Sequence, residues 1–129
     1  EGNSRVIFCL RGMKTDGGAP HRNMVDFAHV PVVKRLTRMP VCVDPSHSVG
    51  SRERSPDGLL DVMHVTAQGV VAGANMVLVD FHPVPVKALV DGPQALTLEE
   101  LPWFLEDVAI AREAYEKRRV RAAKAAVSF

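Results

Sequence analysis

Imidazole, carboxylate and guanidinium groups gather at three places along the 129 residues. The segment Asp44-Pro45-Ser46-His47-Ser48-Val49-Gly50-Ser51-Arg52 combines all three, Asp80 and His82 follow an apolar run, and Asp91-Gly92-Pro93-Gln94 comes next. His47, Asp80 and Asp91 make a donor set for a divalent metal such as Mn²⁺, Fe²⁺ or Zn²⁺, because borderline cations accept mixed nitrogen and oxygen ligands. Asp and His in such places also cap loops or pair with nearby cations. A fourth place, Cys9-Leu10-Arg11-Gly12, offers a fork of guanidinium donors suited to phosphate or carboxylate, beside a glycine that lets a ligand approach the backbone. The competing use of Arg11 is a salt bridge to Asp44. Lys14, Arg22 and Arg52 lie on adjoining loops and could enlarge an anion pocket.

These groups share a site only if the elements carrying them end on one rim. Three apolar segments, Val6 to Leu10, Pro40 to Val43 and Asn75 to Phe81, are predicted strands. The first and third show little alternation, as expected of strands covered on both faces in a parallel sheet. Helices are predicted over Val32 to Leu36, opened by Pro31, over Leu59 to Val71 at helical spacing, and from a Thr97/Glu100 capping box to about Ala126. Gly12 to Asn23 and Ser46 to Asp57 are expected to be loops. The result is an α/β chain of three βα units with its long loops after the strand C-termini, where chemistry collects on such folds. Three units leave two parallel strand edges open and cannot close an eight-stranded barrel.

Composition narrows the function classes. Sixteen Lys+Arg against fifteen Asp+Glu give a net charge of +1, which excludes bulk attraction to nucleic acid or an acidic membrane. No run approaches the length of a membrane span, and Glu1 to Arg5 lack a secretion-signal layout, so a cytoplasmic protein is expected. Cys9 and Cys42 sit in apolar runs and are expected to be reduced, buried thiols. The basic stretch Glu116 to Lys124 reads as a solvated helix end. Residues 1–129 are taken as one unit.

Taken together, Arg11-Gly12-Met13-Lys14-Thr15, Arg22-Asn23, Asp44-Pro45-Ser46-His47-Ser48, Ala72-Gly73-Ala74, His82-Pro83, Lys87-Ala88-Leu89 and Asp91-Gly92-Pro93-Gln94 closely resemble the C-terminal part of the 3-deoxy-D-arabino-heptulosonate 7-phosphate (DAHP) synthases of the short bacterial type. The likeness runs from about Arg5 to Glu116. It implies part of a (β/α)₈ TIM barrel, strands six to eight with their helices. It also implies a divalent metal and two substrates, phosphoenolpyruvate and erythrose 4-phosphate, condensed to DAHP and phosphate in the first step of the shikimate pathway. By that resemblance Arg11 matches the arginine holding the phosphoenolpyruvate phosphate, and Arg52 the second arginine of a Gly-Arg-Arg segment. His47 and Asp91 match metal ligands, and Asp80 stands where the family has a metal-binding glutamate.

The departures are informative. Asp80 is one methylene shorter than glutamate, so its carboxylate retreats by roughly 1 to 1.5 Å. Leu10 replaces the glutamate of a Cys-Glu-Arg-Gly motif, and Ser51 the first arginine of Gly-Arg-Arg. The family's metal-binding cysteine, its sugar-phosphate motif and its lysine for phosphoenolpyruvate belong to an N-terminal half that this sequence does not contain. The expected function is therefore a portion of a synthase, inactive until an N-terminal half-barrel or other subunit completes it, in a homo-oligomer. The alternatives are a non-catalytic half-barrel that binds a partner synthase or a phosphorylated ligand, and a 3-deoxy-octulosonate 8-phosphate synthase-like activity.

Overall fold

The structure is a computed structural model describing residues 2–16 and 20–126. Residue 1, residues 17–19 in the middle of the Gly12 to Asn23 stretch, and residues 127–129 lie outside it. Three strands, β1 (Phe8–Leu10), β2 (Val41–Val43) and β3 (Met76–Val77), pair in parallel in the order β1-β2-β3. Phe8 lies opposite Val41 and Leu10 opposite Val43, while Val43 pairs onward with Val77. This register brings the three strand C-termini to one edge. The strands are shorter than their apolar runs predict, yet the third path continues: Leu96 N–H donates to Asp80 O at 2.9 Å and His82 N–H to Leu96 O at 2.8 Å, flanking a parallel bridge of Phe81 with Leu96.

Between strands lie α1 (Val30–Thr37), the short α2 (Pro45–Val49) and α3 (Asp61–Val71), and the chain closes with α4 (Leu101–Ala126). Proline opens α1, as expected, because its fixed φ suits the first turn and its missing N–H is not needed there. The middle strand is buried along its whole length because it has a neighbour on each side and α1 and α3 above it. Phe27, Val30, Val41, Val43 and Val49 form the centre of that core. At Gly69 of α3, an added Cβ would lie 2.8 Å from Val43 Cγ2, so a glycine lets helix and sheet approach closely. A second cluster, Leu60, Val62, Met63, Leu96 and Phe104, fastens α4 to α3 and to the segment after β3, with Phe81 and Phe104 packed edge to face at 5.8 Å.

One expectation is corrected here. Cys42 is buried but Cys9 is exposed, although the two are register partners. The difference follows from position in the sheet: β2 is central, whereas β1 is an edge strand whose Phe8, like Ile7 just before it, is 40% exposed or more. The run reads as a covered strand, and the described residues do not include its cover. Among the described residues no helix is long and apolar enough to cross a membrane. The basic end of α4 is laced by Arg112–Glu116, Lys117–Glu113 and Arg119–Glu116 pairs, while Arg118 donates to the Val71 carbonyl at the end of α3.

Candidate metal and anion site

The rim begins at Asp44, the residue after β2. Its side chain accepts the His47 backbone N–H at 3.1 Å and so caps α2, while Pro45 occupies the first turn and Gly50 ends it at φ 75° in the left-handed region. Residues 45–49, expected to be part of a loop, are therefore helical, and the signal was present: an N-cap aspartate, a proline at the first helical position and a terminating glycine. One turn of helix carries His47 onto the rim. Asn23 holds that turn by donating to the His47 carbonyl at 2.9 Å, and Ser48 Oγ donates to the Asp44 carbonyl at 2.9 Å.

His47, Asp80 and Asp91 converge. One ligand atom from each lies within 4.8 Å of the other two, and His47 Nε2 is 3.8 Å from Asp91 Oδ1. Metal bonds of about 2.1 Å can join donors no more than about 4.2 Å apart. The set thus fits a divalent ion after closing by about half an ångström, and an imidazole with two carboxylates suits Mn²⁺, Fe²⁺ or Zn²⁺. Asp80 is steadied from two sides: its backbone N–H donates to Ser46 Oγ at 3.0 Å, and Gln94 Nε2 donates to its Oδ2 at 2.7 Å. Gln94 is fully buried, and its Oε1 has no hydrogen-bond partner among the described residues. Asp91 reaches the site from a left-handed backbone at φ 57° and lines two clefts of about 450 and 640 Å³. A cleft of about 1080 Å³, lined by α3, α4 and by Ala28 and Pro31, contains none of the five predicted site residues.

Arg11 stands on the other side of Asp44, its Nε 3.7 Å from Asp44 Oδ2 and its side chain 57% exposed. Both uses foreseen for it are compatible: the ion pair tethers one edge of the guanidinium while most of the group faces solvent. Gly12 beside it is anchored by its N–H donating to Asp26 Oδ1 at 3.1 Å. Arg52 is differently disposed. Its fork grips Glu100 with two bonds of 2.9 and 2.8 Å, and NH1 also donates to the Ala95 carbonyl at 2.6 Å. It borders the 640 Å³ cleft with Asp91 and Thr97. Burial would raise the Glu100 carboxyl, but hydrogen bonds from Arg52 and from the Thr97 backbone outweigh it, and the group sits below the usual glutamate value. Sequence reasoning paired Asp44 with Arg11, as the structure does, but did not identify Asp44 as the partner of His47, or Gln94 and Glu100 as partners of Asp80 and Arg52. Adjacency to His47 in an N-cap pattern was the available signal for Asp44, and the other two pairings span 14 and 48 residues.

Comparisons with known proteins agree on one family. The sequence model described as the DAHP synthetase I family matches residues 1–116. A phospho-2-dehydro-3-deoxyheptonate aldolase of Thermotoga maritima is 38% identical over 98 residues, which is 76% of this chain and 27% of that protein. A 2-dehydro-3-deoxyphosphooctonate aldolase of Legionella pneumophila is 31% identical over 121 residues, or 91% of this chain and 43% of its own length. The solved structure of a truncated 3-deoxy-D-arabino-heptulosonate 7-phosphate synthase from Thermotoga maritima superposes with a TM-score of 0.75 at 34% identity, covering 88% of this chain and 40% of the other. The chain thus spans well under half of these relatives. An α/β chain with a parallel three-stranded sheet, matched over 116 residues by one family model and in three dimensions by a synthase of that name, belongs to the DAHP synthetase I family.

Proposed function

We propose that this chain is the C-terminal portion, strands six to eight, of a DAHP synthase barrel that condenses phosphoenolpyruvate with erythrose 4-phosphate once an N-terminal half-barrel completes it. The observation that carries this reading is the convergence of His47, Asp80 and Asp91 at the C-terminal rim of a parallel sheet, with Arg11 one residue past β1 and tethered to the same Asp44 that supports His47. In the proposed reaction C3 of phosphoenolpyruvate bonds to the aldehyde carbon of the sugar phosphate, water adds at C2, and phosphate leaves. A divalent metal held by His47, Asp80 and Asp91 would supply Lewis acidity to the aldehyde oxygen.

The chain's own residues have separate tasks in this scheme. Arg11 receives the phosphate of phosphoenolpyruvate on its solvent-facing donors and keeps that charge fixed as the ester bond breaks. Asp44 limits where Arg11 can swing, which converts a flexible cation into an oriented one. Arg52 contributes positive charge beside the 640 Å³ cleft from a seat set by Glu100, so Arg11 is the primary phosphate ligand and Arg52 a secondary one. The edges of β1 and β3 carry exposed apolar side chains, Phe8 and Met76, as expected of a sheet that continues into further strands.

The test is complementation. The N-terminal segment of the Thermotoga maritima relative that precedes the matched region is mixed with this chain, Mn²⁺, phosphoenolpyruvate and erythrose 4-phosphate, and phosphate release is followed. Activity is expected only with both parts present, and Arg11→Ala or His47→Ala is expected to lower it by at least a hundredfold. A reconstituted enzyme indifferent to both substitutions overturns the assignment. Carbon arithmetic gives the control: eight-carbon product chemistry would require a five-carbon aldose phosphate, and preference for that substrate would move the chain to the octulosonate branch.

A further inference from the structure

The carboxylate of Asp44 is 2% exposed and lies among three nitrogen donors from two residues, His47 and Arg11. It accepts the His47 backbone N–H at 3.1 Å, meets His47 Nδ1 at 3.0 Å from one oxygen and 2.8 Å from the other, and stands 3.7 Å from Arg11 Nε. A carboxylate in such company accepts hydrogen bonds, so the short contact to Nδ1 requires the ring hydrogen on Nδ1. The other ring nitrogen faces Asp91 at 3.8 Å, too long for a hydrogen bond, and that carboxylate is 39% exposed. Both distance and burial direct the single hydrogen of a neutral imidazole toward Asp44.

We propose that Asp44 is the positioning residue of the rim, fixing His47 as the Nδ1–H tautomer so that the Nε2 lone pair faces Asp80 and Asp91, while the same carboxylate tethers Arg11 beside it. The assignment rests on the metal-centre reading for its use but not for its geometry. A carboxylate behind a metal-binding histidine fixes ring orientation, and loss of such a partner costs about 10- to 100-fold in metal affinity. Here the arrangement has an added consequence. One buried group serves both the metal donor and the phosphate donor, so the separation of the two is set by a single side chain rather than by two independent rotamers.

The experiment uses the full 129-residue chain labelled with ¹⁵N at histidine, above the range in which imidazole is protonated, with the His47 signals assigned from a His47→Gln variant. The expected result is a protonated Nδ1 and a bare Nε2. Asp44→Asn keeps the shape but puts one NH₂ where an acceptor stood, so the Nε2–H tautomer should gain population and the Mn²⁺ dissociation constant should rise about 10- to 100-fold. A wild-type His47 found mainly as Nε2–H, or an Asp44→Asn chain with unchanged tautomer and affinity, overturns the proposal. Should Asp44→Asn fail to fold, the wild-type tautomer alone decides. A wild-type chain that shows the Nδ1–H form yet binds no Mn²⁺, alone or with the N-terminal segment of the Thermotoga maritima relative added, refutes the metal-centre reading and leaves the Asp44 assignment standing.

Discussion

Replacing Arg52 by alanine measures whether the rim is braced from behind. The guanidinium makes two hydrogen bonds to Glu100 and one to the Ala95 carbonyl, with side chains 30% and 18% exposed. Charge-assisted hydrogen bonds contribute about 1.5 to 3 kcal/mol each when well shielded, and solvent screening of a partly exposed pair brings the whole to about 2 kcal/mol. An unfolding entropy of about 2.1 cal/mol/K per residue makes that a fall in Tm of about 7 °C for a chain of this size. The gap should depend on pH. Glu100 has a folded-state pKa below its unfolded value, so its contribution is present above the unfolded pKa and is lost as pH falls through the folded one. Thermal unfolding followed by circular dichroism at pH 7 and again below pH 4 should therefore give a large difference between Arg52→Ala and the parent that narrows in acid. A shift under about 2 °C at pH 7, or one independent of pH, would refute the bracing argument and return Arg52 to solvent and substrate.

Three further outcomes are expected. Gln94→Leu removes the donor to Asp80 together with a buried acceptor that has no partner among the described residues, so unfolding in urea should change by no more than about 1 kcal/mol while Mn²⁺ affinity, measured calorimetrically, falls about tenfold. Gly69→Ala places a Cβ 2.8 Å from Val43 Cγ2 and 3.1 Å from Phe27 Cδ2, and overpacking of about 1 to 3 kcal/mol should outweigh the gain of about 1 kcal/mol in helix propensity, lowering Tm. Iodoacetamide at pH 8 should add one group per folded chain, at Cys9: burial first, and the neighbouring Cys9 second, push the Cys42 thiol up to about 12. Two adducts by mass spectrometry would contradict that burial.

Much of the layout was legible from local pattern. Pro31 opening α1, the helical spacing from Leu59, and the three apolar runs all signal structure through backbone geometry and through burial repeated at a fixed period, which one sequence carries in full. Strand length was less legible. An apolar run reports that a side chain is to be covered, whereas strand assignment needs a paired neighbour, and Val6 and Ile7 have none among the described residues. The convergence of His47, Asp80 and Asp91 followed from placing three loops on one rim. What surrounds them did not follow. Gln94 reaching Asp80, and Arg52 turning to Glu100, are tertiary choices made when α4 docks against α3 and the segment after β3, and spacing along the chain holds no trace of them.

The left-handed backbone at Asp91 limits how its carboxylate can be interrogated. Residues with a branched or bulky Cβ are strained at φ 57°, while asparagine and aspartate tolerate that conformation through local hydrogen bonding. Exchanging Asp91 for alanine would therefore confound loss of a donor oxygen with relaxation of the turn that presents it. Asparagine deletes the charge and spares the main chain, and a pairwise comparison of the two substitutions separates coordination chemistry from loop architecture at a single position.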